Sequence, residues 1–149
     1  MRIGLILLLL LLQGFQDHAR SLEQRLYAEI NYVRSTHHLP DLRWNVRIAE
    51  QARRHSDRML HRHFLSHEDP DFGGPGDRLS MAGIAWRACA ENIYQEFGRS
   101  DPVRSAVQSW MQSPGHRQNL LSRTYTNTGI GVAVSSQGEV IVTQMFAAF

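Results

Sequence analysis

Two apolar runs near the end of the chain constrain its fold more than any other feature. Residues 129–134 and 139–146 are rich in β-branched side chains, and the four residues between them form a hairpin turn. Apolar residues follow one another in both runs with little alternation, so we expect both faces of the strands to be covered. The sequence therefore predicts a hairpin in the middle of a sheet, with other elements packed on each side.

Periodic apolar residues predict helices ahead of this hairpin. They recur every three or four positions in residues 22–36, 46–59 and 103–110. Residues 21–24 have the form of a capping box, which predicts that the first helix begins there. Asn45 is a typical N-cap residue for the second helix, and the third has an N-cap at Asp101 followed by a proline.

The second helix has two distinct faces. Small and apolar side chains predict its buried face, at Ile48, Ala49, Ala52, Ser56 and Met59. A run of charges predicts its solvated face, at Arg47, Glu50, Arg53, Arg54 and Arg58. After this helix, a loop rich in glycine and proline over residues 69–76 precedes a short helix at 78–82, which we expect Asp77 to cap.

The N-terminus has the form of a signal peptide. A basic start precedes an unbroken apolar run over residues 3–12. As a helix, this run would rise about 15 Å, which is half of a bilayer core. The length favours a signal peptide over a membrane span, with an uncleaved anchor as the alternative. We expect residues 1–19 to be the signal peptide and residues 20–149 to form one secreted domain, extracellular or periplasmic.

Composition excludes some classes of partner and chemistry. The formal net charge is only +2, and no basic run with interleaved aromatic residues is present, so we expect no nucleic-acid partner. Cys89 is the only cysteine, so the chain has no internal disulfide. Its apolar neighbours favour a buried small hydrophobe over a nucleophile.

His116 lies where a helix is expected to begin. Ser113 is a good N-cap and Pro114 suits the first helical position, which places His116 in the first turn. The positive end of the helix dipole disfavours an imidazolium, and a neutral imidazole is the form that binds metals or accepts protons. A surface histidine beside a turn is the alternative.

Two further side chains are in settings that suit a site. His63 and His67 are four residues apart and would share a face if the second helix continued that far. Glu91 lies among small and apolar residues, where a carboxylate is costly unless it is paired or bound to a metal. An exposed glutamate at a strand edge is the alternative interpretation.

Several short motifs occur together in one order. They are residues 42–45, 65–67, 90–93, 110, 113–121, 129–132 and 143–146. In these motifs, and over about residues 22–149, the chain resembles the CAP superfamily, also called the SCP domain, which includes cysteine-rich secretory, antigen-5 and pathogenesis-related class 1 proteins. It is most similar to the compact bacterial branch. The resemblance implies an α/β/α sandwich with a small sheet between helical layers.

The resemblance also implies a cleft lined by two histidines and acidic residues, which in some members holds a divalent metal, often zinc. His67, Glu91 and His116 match the cleft residues. Residues 112–114 stand where larger eukaryotic members carry a second glutamate, so a four-residue His₂Glu₂ site is not expected. Arg78 matches an arginine common in the bacterial branch, with a structural role or a carboxylate as its partner.

The cleft permits more than one function. Two neutral imidazoles and one carboxylate are a workable zinc set with an open position, which would suit a metal-dependent hydrolase. The chain has no HExxH helix and no G-x-S-x-G context, and fold alone does not dictate activity. We therefore expect a binding module for an extracellular protein, glycan or cell-wall component. The alternatives are the hydrolase and a lipid or sterol carrier.

Overall fold

The sheet at the centre of the protein has four strands in the order β1-β3-β4-β2. The computed structural model describes the backbone of residues 2–149 and the side chains of residues 13, 14 and 16–149. The strands are β1 (Arg43–Trp44), β2 (Ala88–Phe97), β3 (Asn127–Val134) and β4 (Glu139–Ala148). The helices in the described residues are α1 (Arg2–Thr36), α2 (Val46–Arg62), α3 (Pro75–Met81), α4 (Pro102–Gln112) and α5 (Pro114–Leu120).

The predicted hairpin forms the two inner strands. β3 and β4 pair antiparallel, with β2 antiparallel on one side and the short β1 parallel on the other. Almost every residue of β4 is buried. Helices α1, α4 and α5 contribute to the apolar core on one face, and α2 and α3 to the smaller clusters on the other. The predicted α/β/α sandwich is confirmed.

Helix α2 lies unusually close to β3. A Cβ atom built on Gly129 would lie 2.1 Å from the backbone nitrogen of Ala49, and one on Gly131 would lie 2.1 Å from that of Arg53. No side chain fits at these two positions, because the opposing atoms belong to backbone that cannot rotate away. The two glycines therefore set the distance between α2 and the sheet.

Helix α1 differs from its prediction. It begins at Arg2 and passes through residues 21–24 without a break, so the predicted capping box does not start a helix. Glu23 is instead buried and accepts hydrogen bonds from the Arg53 guanidinium. Met1 and the side chains of residues 2–12, which include the predicted signal-peptide core, lie outside the described residues. Among the residues described, none of the helices has the length and apolar character needed to cross a membrane.

The predicted caps have mixed outcomes. Asn45 and Asp101 each accept a backbone N–H from the first turn of their helices, as expected. Ser113 precedes Pro114 as predicted, but its hydroxyl makes no capping bond. The short helix begins at Pro75, three residues before its predicted start at residue 78. Asp77 lies inside its first turn, where the carboxylate accepts the backbone N–H of Gly74.

The expected solvated face of α2 is partly engaged by other elements. Arg53 binds the buried carboxylate of Glu23, and Arg58 binds Asp69 and Asp71 in the loop that follows. These arginines lie on the helix face that the sequence predicts to be wet. Their long aliphatic stems let the guanidinium groups reach neighbouring elements, so the charge run is only partly a surface feature.

Candidate functional site

His67 lies on a loop and not on a helix. Helix α2 ends at Arg62, and His63 caps it with a left-handed backbone (φ 54°). The helix does not continue to His67, so the condition under which His63 and His67 would share a helical face is not met. The chain turns back after His63, and the side chain of His67 is 47% exposed.

Glu91 is a buried carboxylate held on two sides. Its side chain is only 1% exposed and projects from β2. Oε1 lies 2.9 Å from His67 Nδ1, and Oε2 lies 2.8 Å from Nη2 of Arg78, which is itself 5% exposed. Arg78 also donates to the backbone carbonyl of His67, at 3.0 Å. Glu91 is thus a buried carboxylate paired with Arg78. Pairing with a carboxylate was one of the two roles predicted for this arginine.

His116 projects from α5 towards His67. The two ring centroids are 6.4 Å apart, with the ring planes tilted by 53°. Its Nδ1 atom is buried and has no hydrogen-bond partner in the described part of the chain. Burial, followed by the charge of His67, lowers the pKa of His116, which favours the neutral imidazole. This agrees with the neutral form expected from its place in the first turn.

Two asparagines join α5 to β2 behind the site. Asn92 is fully buried and donates to the backbone carbonyl of His116, at 3.1 Å. Asn119 donates to Asn92 Oδ1 at 2.9 Å and to the backbone carbonyl of Glu91 at 3.3 Å. These bonds hold His116 at a fixed position relative to Glu91, although the two residues are far apart in the sequence.

His55 belongs to the same network, and sequence reasoning missed it. It is 1% exposed, with Nε2 at 2.9 Å from the backbone oxygen of Ser66 and 3.9 Å from Glu91 Oε1. Burial lowers the pKa of His55, against the opposing effect of Glu91. Its spacing from Ile48 and Ala52 places it on the buried face of α2, which was the signal available in the sequence.

Asp69 closes the network on the far side of His55. Its Oδ2 lies 3.6 Å from His55 Nδ1 and 2.6 Å from Arg58 Nε. Burial alone would raise the pKa of Asp69, but the hydrogen bonds from Arg58 and from the backbone of Asp71 lower it well below its ordinary range. Asp69 is therefore an anion that keeps the loop before α3 in place.

The fold and these motifs agree with one family. The model of the cysteine-rich secretory protein family, CAP, matches residues 27–146. The chain belongs to this family. The match thus spans β1, β2, β3, most of β4, four of the five helices described and part of α1.

Similar proteins place the CAP domain in longer chains. YkwD, an uncharacterized protein of Bacillus subtilis, is 31% identical over 124 residues, which are 83% of this chain and 46% of YkwD. An extracellular protein with an SCP domain from Bacillus anthracis is 33% identical, with a TM-score of 0.80, over 92% of this chain and 43% of that one. The chain therefore spans less than half the length of both proteins.

A more distant structure shares the fold alone. An outer surface protein of Borrelia burgdorferi is 18% identical, with a TM-score of 0.78, and the match covers 87% of this chain and 93% of that one. The match covers most of both proteins, so they share the fold although few of the aligned residues are identical.

The three predicted zinc ligands do not fit a metal ion as a set of three. Glu91 faces His67 with Oε1, and its Oε2 is ion-paired with Arg78 although it accepts no hydrogen bond. Among the residues whose side chains are described, no three His, Cys, Asp or Glu side chains are grouped as a metal site. Two imidazoles do fit, because His116 Nδ1 has no partner and His67 uses only Nδ1 towards Glu91. Zinc binding stays a prediction. In this arrangement, Glu91 would orient His67 and would not itself be a metal ligand.

Proposed function

We propose that the chain is a secreted CAP-domain binding module that contacts an extracellular ligand through a cleft formed by His67, Glu91 and His116, in which the two histidines touch the ligand and Glu91 orients His67. The contact that carries the proposal is the 2.9 Å approach of His67 Nδ1 to Glu91 Oε1. A buried carboxylate fixes the orientation of a half-exposed imidazole, and a second imidazole lies 6.4 Å away. Such preorganisation of polar groups is typical of recognition sites.

The chemistry of the cluster favours a ligand that donates hydrogen bonds. Ionised Glu91 can only accept, so the proton of a neutral His67 is assigned to Nδ1. Its Nε2 atom then carries the lone pair. Burial lowers the pKa of His116 and favours its neutral form, which offers one acceptor and one N–H donor. Hydroxyl groups of a glycan or cell-wall component, or amide groups of a protein, meet this requirement.

Secretion is part of the same proposal. The apolar run over residues 3–12 supports a signal peptide over residues 1–19, with residues 20–149 as the CAP domain. The description of the Bacillus anthracis relative as extracellular supports the same location. N-terminal sequencing of protein from culture medium tests both points, and a cell-associated chain that retains Met1 would contradict them.

Binding can be tested with the purified chain and soluble cell-wall fragments. We compare the native protein with His67→Ala, His116→Ala and the control His61→Ala, which removes an exposed histidine of α2. Loss of one hydrogen bond corresponds to about a tenfold loss of affinity. We expect that loss in the first two variants and unchanged binding in the control. If His67→Ala and His116→Ala bind like the native protein, the proposed contacts are wrong.

The unpaired Nδ1 of His116 supports a second candidate, a divalent metal held by His67 and His116. Glu91 would orient His67 in the way that carboxylates orient metal-bound histidines. A bound zinc ion supplies a Lewis acid that attracts ligand oxygens. We do not extend the proposal to hydrolysis, because Glu91 is ion-paired with Arg78 and bonded to His67 and so lies beside the site as a positioning group. Calorimetric zinc titration of the same four proteins tests the candidate, which fails if His116→Ala binds zinc as the native chain does.

A further inference from the structure

A polar groove of about 550 Å³ lies between α4 and the end of β2, and we call it the α4–β2 groove. One face of α4 forms its first wall, with side chains three or four positions apart at Ser105, Gln108, Ser109 and Gln112. The opposite wall includes Gln95, Glu96, Phe97 and Arg99. Hydroxyl and amide groups therefore line the helix side of the groove, and each of them can both donate and accept hydrogen bonds.

The α4–β2 groove has little net charge. Glu96 and Arg99 are the charged side chains that border it, and Arg99 Nε lies 3.8 Å from Glu96 Oε2. The hydroxyl of Tyr94 donates to the same oxygen, at 3.0 Å. Because the two opposite charges face each other, the groove offers no excess charge to an ionic ligand. A neutral ligand with many hydroxyl or amide groups matches this lining.

The groove also borders free backbone groups of an edge strand. In the described sheet, β2 pairs with β4 and with no second strand. The carbonyls of Glu91 and Ile93 point away from β4, because they accept from the side chains of Asn119 and Trp110. Backbone groups alternate along an antiparallel strand, and β2 pairs with β4 residue by residue without a bulge. The N–H and C=O of Gln95 therefore also point outward, where a ligand can bond to them.

The covered part of this edge disfavours a peptide strand as the ligand. Strand addition needs a run of outward N–H and C=O groups. Trp110 and Asn119 occupy outward carbonyls in the middle of β2, so only a short stretch after Ile93 stays open. A glycan needs no such run, because its hydroxyls can bond to amide side chains. The apolar face of a sugar ring can also pack on Phe97, whose side chain is 65% exposed.

We propose that the α4–β2 groove binds a neutral glycan strand that also reaches the contact site at His67 and His116. Both sites border β2, where Glu91 and Gln95 are four residues and about 13 Å apart along the strand. They also meet where α4 joins α5, because Gln112 borders the groove and His116 lies in the first turn of α5. The inference rests on the proposed function and narrows its ligand to a glycan long enough to touch both sites.

The test measures by calorimetry the affinity for chitohexaose, a neutral chain of six sugars, and for chitobiose, which has two. We expect the longer chain to bind at least about tenfold more tightly, because a ligand held at one site has a high effective concentration at the other. An uncharged hexapeptide of alternating threonine and valine and a sulfated heparin hexasaccharide should both bind more weakly. Equal affinity for the two sugar chains, no binding of chitohexaose at millimolar concentration, or tighter binding of the peptide or of heparin would overturn the proposal.

Two variants of exposed residues locate the glycan in the groove. Gln108→Ala removes an amide of the α4 wall and Phe97→Ala removes the exposed ring, and we expect each to weaken chitohexaose binding about tenfold. The matched controls Gln24→Ala and Tyr32→Ala change exposed residues of α1 that do not border the groove, and should bind like the native protein. Equal loss in variants and controls would overturn the proposal. Native affinity in Gln108→Ala and Phe97→Ala would also overturn it, and a loss in His116→Ala in the same assay would then leave the proposed function standing.

Discussion

Arg78 and Glu91 form a buried ion pair, with 2.8 Å between Nη2 and Oε2 and side-chain exposures of 5% and 1%. The pair joins α3 to the edge strand β2. It also fixes one oxygen of Glu91, so that the other is presented to His67. Arg78, which is not one of the three predicted site residues, thus orients the carboxylate of Glu91 towards His67.

Arg78→Gln should destabilise the protein strongly. The substitution leaves Glu91 buried without its cation, and loss of one partner of a buried pair costs about 3–5 kcal/mol. The free energy of unfolding in urea measures this. The control Arg25→Gln removes an exposed pair with Asp101 and should cost less than about 1 kcal/mol. Similar losses in the two variants would contradict the structural role given to Arg78.

Gly129→Ala and Gly131→Ala should each destabilise the fold, because the new Cβ would meet the backbone of α2 at 2.1 Å. Overpacking of this kind costs about 1–3 kcal/mol or more. Gly115→Ala is the control, since nothing lies within 4 Å of a Cβ at that helical position. Alanine there should stabilise by up to about 1 kcal/mol. Thermal unfolding of the three variants compares them, and a neutral effect at Gly129 and Gly131 would mean that α2 can move away from β3.

Stability should fall when the pH is lowered from 7.5 to 5.5. Burial lowers the pKa of His55, so the unfolded chain binds more protons than the folded one in this range. The stabilisation is full above the ordinary pKa of about 6.5 and is lost as the pH falls towards the folded pKa. We expect His55 to contribute to this loss in the direction given by its lowered pKa. His55→Gln should flatten the pH dependence of unfolding, whereas His37→Gln, an exposed change, should not.

Asn92→Ala should impair the site without removing any of its contact residues. It deletes the donor to the His116 carbonyl and the acceptor for Asn119. Leaving these part-buried groups unpaired costs about 1 kcal/mol or more of stability. We expect the ring signals of His116 in NMR spectra to shift and broaden, while those of His61 stay unchanged. Native His116 signals in Asn92→Ala would contradict the positioning role.

Local sequence signals predicted the parts of the fold that depend on neighbouring residues. The hairpin, the cap at Asn45 and the Asp101–Pro102 start of α4 each follow from a few adjacent side chains. The sequence also indicated that Glu91, if buried, would be paired or metal-bound, with an exposed glutamate as the alternative. The structure buries Glu91 and pairs it with Arg78.

The identity of each partner was harder to predict, because tertiary contacts decide it. Spacing along the chain does not show that Glu23 contacts Arg53. Residues 21–24 therefore resembled the start of a helix, although Glu23 is in fact the buried partner of Arg53. His55 was missed because its neighbours on α2 are charged, although its own position is buried. The place of α3 beside β2, which brings Arg78 to Glu91, is likewise a property of the whole sheet.

The close approach of α2 to Gly129 and Gly131 has a consequence for mutational scanning of this protein. Helix α2, whose distance from the sheet those glycines set, also carries His55, which contacts Glu91 and the backbone of Ser66 next to His67. A scan scored only by ligand binding would therefore rank the two glycines beside His116, although neither touches a ligand. Scoring the same library in parallel for the amount of folded protein would separate the residues that contact the ligand from those that position α2.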